Sequence, residues 1–212
     1  MGMNKMEILN KGVRYDKMVQ EKSGDELGLF DEYEETFIKI RKMITGYDLR
    51  NIIDFGCGTG NLCGILCEKM NVIGIDKSSE MIQEGKRKYP KMNFIESSIL
   101  DVSNIEEKAD IVVSSYVLHG LIEEEKKKAL FNMLLLSDKK RAILIDFMFE
   151  DMKTKQAYKE NLLRNNRADL WEFIESKHFF IVEDLRRYIE ELDLNITFEH
   201  CVNFTWIAEI YK

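Results

Sequence analysis

The chain is poor in the residues that mark several common protein classes. One proline, Pro90, and three histidines occur among 212 residues, which excludes a proline-rich linker and a histidine-dense metal tract. The four cysteines, Cys57, Cys63, Cys67 and Cys201, form neither the CxxC pairs of a zinc ribbon nor the density of a disulfide scaffold. Cys63 and Cys67 share a helix face, but two thiols without a nearby histidine pair make a poor metal site. Buried reduced thiols are the simpler reading, and no metal is expected. No apolar run approaches the roughly 20 residues needed to span a bilayer, and no apolar stretch of signal-peptide type follows "MGMNKMEILNKG". A cytoplasmic protein without a membrane partner is expected.

Positive charge is also in short supply. The net charge is −7, which opposes the phosphate-neutralising surface that nucleic-acid binding requires. The runs "EEEKKKA" and "DKKRA" sit beside acids and read as solvated faces. A small molecule is therefore favoured over RNA or DNA as partner.

Apolar residues, 45% of the chain, suffice for one α/β domain over residues 1–212. From Asn51 the pattern alternates: strand "NIIDF", a helix over 61–70, strand "NVIGID", a helix over 79–89, and strand "MNFIE". Then follow "ADIVVSS" (109–115), a helix over 123–136 and "RAILIDFMF" (141–149). Such alternation predicts βαβ units and a parallel sheet. Residues 150–180 read as a helical insertion after the fifth strand, and a further helix covers 182–192. The tail "NITFEHCVNFTWIAEIYK" alternates β-branched and aromatic residues around a tight turn at 202–204. It predicts an antiparallel hairpin that completes a seven-stranded, mostly parallel sheet with helices on both faces. Two amphipathic segments before Leu49 predict an N-terminal helical cap over 1–48.

The stretch "IIDFGCGTGN" (52–61) carries the chemistry. Three glycines, Gly56, Gly58 and Gly60, follow the first strand and let a ligand approach the main chain. A dinucleotide fingerprint, GxGxxG, would need glycine where Asn61 stands, so a nicotinamide oxidoreductase is disfavoured. Asp76 ends the second strand, where an acid accepts hydrogen bonds from both hydroxyls of a ribose. A helix N-cap is the plainer role for it, but Ser78 and Ser79 already offer that cap.

With these motifs the chain resembles the class I S-adenosylmethionine-dependent methyltransferases. "IIDFGCGTGNL" is similar to that family's first motif, "VIGIDKSSEMI" to its second and "ADIVVSSYVLHGL" to its fourth. The ends "YDKMV" and "FTWIAEIYK" resemble a group of small bacterial methyltransferases. The resemblance implies a Rossmann-like fold, S-adenosyl-L-methionine as cofactor and S-adenosyl-L-homocysteine as product. It implies that Asp54 and the Gly56, Cys57, Gly58, Gly60 and Asn61 loop hold the methionine end, with Tyr15 closing over it. Asp76 would hold the ribose, Lys77 and Met81 would flank the adenine, Ile99 would be a further cofactor-binding residue, and the backbone around Ser114 would face the cofactor amino group. There is one departure: where the family carries an acid for the adenine amino group, this chain has Ser97 and Ser98. A serine hydroxyl accepts more weakly than a carboxylate, and Asp101 is the alternative if the loop shifts.

Methyl transfer needs no universal triad, because positioning and desolvation supply much of the rate. A base matters only for a protonated nucleophile. His119 is the candidate base or hydrogen-bonding wall and Tyr116 the candidate pocket residue; a structural histidine bonded to a backbone carbonyl is the plain alternative for His119. No "DPPY" or "NPPY" tetrad and no Pro-Cys nucleophile occur, which favours a small-molecule methyl acceptor. RNA or protein acceptors and a non-catalytic cofactor-binding protein are the competing readings. A monomer or homodimer is expected.

Overall fold

In the computed structural model of the protein, which describes residues 10–212, β-branched runs form strands and amphipathic segments pack over them. Helices α1 (Lys11–Glu21) and α2 (Tyr33–Gly46) come first. Residues 1–9 of the expected 1–48 cap lie outside the described residues. Strands β1 (Asn51–Phe55), β2 (Asn71–Asp76), β3 (Asn93–Glu96), β4 (Ile111–Ser115) and β5 (Ala142–Phe149) are parallel, with α3 (Ser79–Lys88) and α4 (Glu123–Leu136) among the crossovers. Then come α5 (Met152–Arg164), α6 (Ala168–Ser176), β6 (Phe180–Ile181), α7 (Val182–Glu190) and the hairpin of β7 (Asn195–Val202) and β8 (Thr205–Tyr211).

The sheet runs β3-β2-β1-β4-β5-β8-β7, with β8 antiparallel to both its neighbours. Seven strands, the last two a closing hairpin, were expected; an eighth, two-residue strand is added where Phe180 and Ile181 pair with Met148 and Phe149 at the end of β5. Side chains alternate between two cores. Ile53 and Phe55 join Leu130 and Met133 of α4 and Ile189 of α7 on one face, while Ile52 joins Phe37, Ile40 and Ile44 of α2 on the other. All eight residues of β5 are buried, as a central strand covered on both faces requires.

One expected helix is different. Instead of a helix over 61–70, the chain makes turns and a short 3₁₀ segment, Gly64–Glu68. Arg41 of α2 lies against this segment, its guanidinium donating to the carbonyls of Leu62 and Asn61 at 3.0 and 2.8 Å. Those acceptors are thereby satisfied outside a helical ladder. The next turn closes one residue early, the Leu66 amide donating to the Cys63 carbonyl at 2.9 Å.

Order reverses between β1 and β4: the chain moves outward to β2 and β3, then returns to the other side of β1. Loops leaving the carboxyl ends of β1 and β4 therefore part and leave a crevice, the usual ligand position in open parallel sheets.

Candidate functional site

A cavity of about 320 Å³ fills that crevice. Its floor is the glycine loop. The amides of Gly56 and Cys57 both donate to the Ile75 carbonyl, at 2.7 and 2.9 Å, which pins the loop to β2. Gly56 has φ +79°, and a Cβ there would lie 2.6 Å from Val117. Gly58 has φ +54° and an open side, since a Cβ on it would meet nothing within 4 Å. Glycine is needed at the first position for fit and at the second for access to the main chain.

Asp76, at the tip of β2, lines the cavity and organises the loop. One of its oxygens accepts from the Gly58 amide and the other from the Ser78 amide, each at 2.8 Å. Ser78 caps α3, accepting from the Met81 amide, so Asp76 is not the helix cap. Each carboxylate oxygen keeps a second acceptor site.

Of the residues singled out from sequence, Tyr15, Gly56, Cys57, Gly58, Asn61, Asp76, Lys77, Met81, Ser98, Ile99 and Tyr116 line the cavity together. Five lie elsewhere. Gly60 turns toward Tyr89, 3.1 Å from where its Cβ would stand. Ser97 faces away, its hydroxyl meeting the Asp101 carbonyl and Asn104 at 3.2 Å, while Asp101 accepts from the amide and hydroxyl of Ser103. Ser114 is fully buried and donates to the Phe55 carbonyl at 2.7 Å; its neighbour Ser115 lines the cavity instead. Ser114 points into the packed layer, and the lining position falls one residue later, where β4 ends.

Asp54 sits behind the loop, 1% exposed; the thiol and amide of Cys63 approach its carboxylate, but among the described residues neither meets it in good hydrogen-bond geometry. Burial pushes its pKa from 3.8 up to about 7, with the Cys63 thiol and amide opposing and Asp76 adding to the rise. Burial likewise raises the Cys57 and Cys63 thiols, which stay protonated.

His119 is the other departure. It does not line the cavity; its Nδ1 lies 2.7 Å from Asp146, which is fully buried in β5. Asp146 also accepts from the amides of Leu118 and His119, at 2.9 and 3.1 Å. The partner is a carboxylate rather than the backbone carbonyl expected of a structural histidine, and it holds the ring against Phe147, with centroids 4.8 Å apart. With the Nδ1 proton so used, a neutral ring presents Nε2 as acceptor. Asp146 was missed in the sequence, though a lone acid inside "AILIDFMF" is its trace.

Tyr116 adopts φ +55°, rare for a bulky residue. Its ring stacks on Tyr33 at 5.4 Å and meets Phe147 at 5.1 Å, and its buried hydroxyl has no partner among the described residues. Burial raises its pKa, so the phenol is protonated.

The N-terminal helix is fastened to the loop by Asp16, which sequence reasoning also missed. Asp16 accepts from Thr59 at 2.6 Å and Asn61 at 2.9 Å, and pairs with Lys88 of α3 at 2.6 Å. Tyr15 is thereby brought over the cavity. Asp16→Asn is expected to cost about 1–2 kcal/mol of stability and to speed amide exchange at residues 59–62, read by hydrogen-exchange mass spectrometry.

A parallel sheet with a glycine-floored crevice at its switch point and an acid at the tip of β2 defines a nucleoside-cofactor protein. A family model described as a methyltransferase domain matches residues 52–137. A protein described as an uncharacterized methyltransferase, from Bacillus pumilus, is 30% identical over 188 residues, 86% of this chain and 88% of that protein. The structure of an O-methyltransferase family protein from Burkholderia thailandensis aligns with TM-score 0.72 at 12% identity, covering 95% of this chain and 59% of that one. Magnesium protoporphyrin IX methyltransferase from Synechocystis PCC 6803, solved with bound SAH, aligns with TM-score 0.68 at 18% identity, covering 87% and 85%. The chain belongs to the S-adenosylmethionine-dependent methyltransferase family, and its cofactor is S-adenosylmethionine.

The residues present fit that group. Asp54 is a buried acid lacking a partner, Gly58 leaves its main chain open, and Asp76 retains acceptor sites at the cavity wall. Among the described residues no helix is long and apolar enough to cross a membrane, and no cluster of three or more His, Cys, Asp or Glu is placed to hold a metal.

Proposed function

We propose that the enzyme methylates a small molecule. The observation that carries this is the lining of the cavity: Tyr15 and Tyr33 from the N-terminal helices meet Tyr116 over the glycine loop, and Lys77 is the one cation among the described lining residues. An RNA acceptor would call for several phosphate-neutralising cations along a groove. The net charge of −7 supports the same reading.

The main chain of Gly56, Cys57 and Gly58 receives the positively charged methionine end, with Asn61 and Tyr15 beside it and the Asp54 carboxylate behind the loop balancing its charge. Gly60 gives the loop its turn. Asp76 accepts from the ribose hydroxyls, Lys77 and Met81 flank the adenine with Ile99 beside them, and Ser98, which lines the cavity where Ser97 does not, meets its amino group. S-adenosylmethionine, when bound, supplies a methyl group already activated by its sulfonium, so holding the acceptor and excluding water carry much of the rate. Tyr116 walls the acceptor side with its ring, its protonated hydroxyl being buried toward Thr205. His119, held by Asp146 outside the cavity lining, is the candidate base for an acceptor that arrives protonated, acting through a bridging water. Residues 150–180 serve as a lid and residues 10–48 as a cap on one domain. The four unpaired cysteines support a reducing, cytoplasmic setting.

A bacterial extract incubated with the enzyme and methyl-labelled S-adenosylmethionine, then separated by size, tests this. Label is expected in the low-mass fraction. Label on RNA or protein would overturn the small-molecule reading, and bound cofactor with no label anywhere would mark a non-catalytic protein.

A further inference from the structure

A second cavity, of about 280 Å³, lies among the start of α4, the start of α5 and the turn into β6 and α7. It shares no lining residue with the cofactor cavity. Its charged groups are Lys126, Lys127, Lys155, Glu123 and Asp184, with His178 beside them.

Lys126 is the anomaly. It is 3% exposed, lies 4.2 Å from the centre of the Phe180 ring and donates to the His178 carbonyl. Among the described residues no carboxylate comes within 4 Å of Lys126, Lys127 or Lys155. A carbonyl satisfies one of the ammonium's three donors and none of its charge. Burying an ammonium without a counter-charge is costly. The acids nearby do not supply one: Asp184 is engaged by Arg187 at 3.1 Å, and Glu123 and Asp146 act on Lys126 only at longer range. Lys155 works against its charge, and burial lowers its pKa. Three cations without an ion-pair partner thus line a cavity that also holds the carboxylates of Glu123 and Asp184 and whose remaining wall is largely apolar.

We infer that this cavity binds a small organic anion through a phosphate or carboxylate group seated on the Lys126 ammonium, with Lys127 and Lys155 flanking it. The anion supplies the missing counter-charge and two charge-assisted acceptors. Phe179, in the cavity wall, packs against Phe147 at 5.1 Å and His119 at 6.3 Å. An occupant therefore touches Phe179, whose ring in turn packs on His119 of the loop that follows β4.

Methionine methyl groups report on the two cavities separately, since Met152 lines this one and Met81 the cofactor cavity. The full chain, labelled at its methionine methyls, is titrated with inorganic phosphate and with succinate at constant ionic strength set by chloride. The expected result is a saturable shift of Met152 by at least one of the two anions, with Met81 unmoved. Saturation by phosphate alone identifies a phosphoryl ligand, and by succinate alone a carboxylate. Affinity is expected to fall at least about tenfold in Lys126→Met and in Lys127→Met/Lys155→Met. Both variants keep the Met81 shift on adding S-adenosylhomocysteine, which shows that they fold. No saturable Met152 shift with either anion, or an equal shift in both variants, would overturn the inference and leave Lys126 as a prop for the His178 turn.

Discussion

Asp76→Ala is expected to weaken S-adenosylhomocysteine binding by about 100-fold, close to 3 kcal/mol. Two losses add. The ribose hydroxyls lose a charged acceptor, and the Gly58 and Ser78 amides, each 2.8 Å from the carboxylate, lose the group that sets the loop against β2. Asp76→Asn separates them, because the amide keeps one acceptor oxygen while its other end becomes a donor. That variant is expected to lose about tenfold. Isothermal calorimetry measures both, with NAD as a control ligand that should bind neither protein. Equal affinity in wild type and Asp76→Ala would remove Asp76 from the site.

The second large effect is on stability. Asp54 has a folded pKa of about 7 against 3.8 when free, so the folded state holds its proton more tightly than the unfolded chain. Its contribution is most favourable below pH 4 and is lost as pH rises from about 4 through 7. The span is on the order of 4 kcal/mol. Asp54→Asn carries no charge to bury, so the ligand-free variant should gain on wild type as pH rises. The melting-temperature difference between them is expected to grow by about 8 °C from pH 5 to pH 8. A parallel pair of curves would contradict the buried, partnerless carboxylate. A cation in the cavity favours ionised Asp54, so wild-type affinity for the cofactor should rise with pH through 7 while that of Asp54→Asn stays flat.

Much of this architecture was legible because parallel strands buried on both faces leave continuous apolar runs, as in "AILIDFMF". The glycine loop and Asp76 were legible because their roles follow from position at strand ends. What escaped depends on contacts between residues far apart in sequence. The His119 and Asp146 pairing spans 27 positions and joins a loop to a strand interior, which no spacing rule connects. Asp16 reaches Thr59 across 43 positions. The turns at 61–70 are met by an arginine some 20 positions away on α2, and the shift from Ser114 to Ser115 follows from where β4 stops. Local pattern specifies elements; these contacts are specified by how the elements pack.

The most direct test of the site uses the methionine-labelled full chain and S-adenosylhomocysteine. Met81, at the start of α3, lines the cavity beside Asp76 and Lys77. Its methyl signal is expected to shift saturably with S-adenosylhomocysteine, while Met152 stays fixed and NAD at the same concentration moves neither. A Met81 signal that ignores S-adenosylhomocysteine, or answers NAD equally, would contradict the assignment of this cavity to the methyl donor.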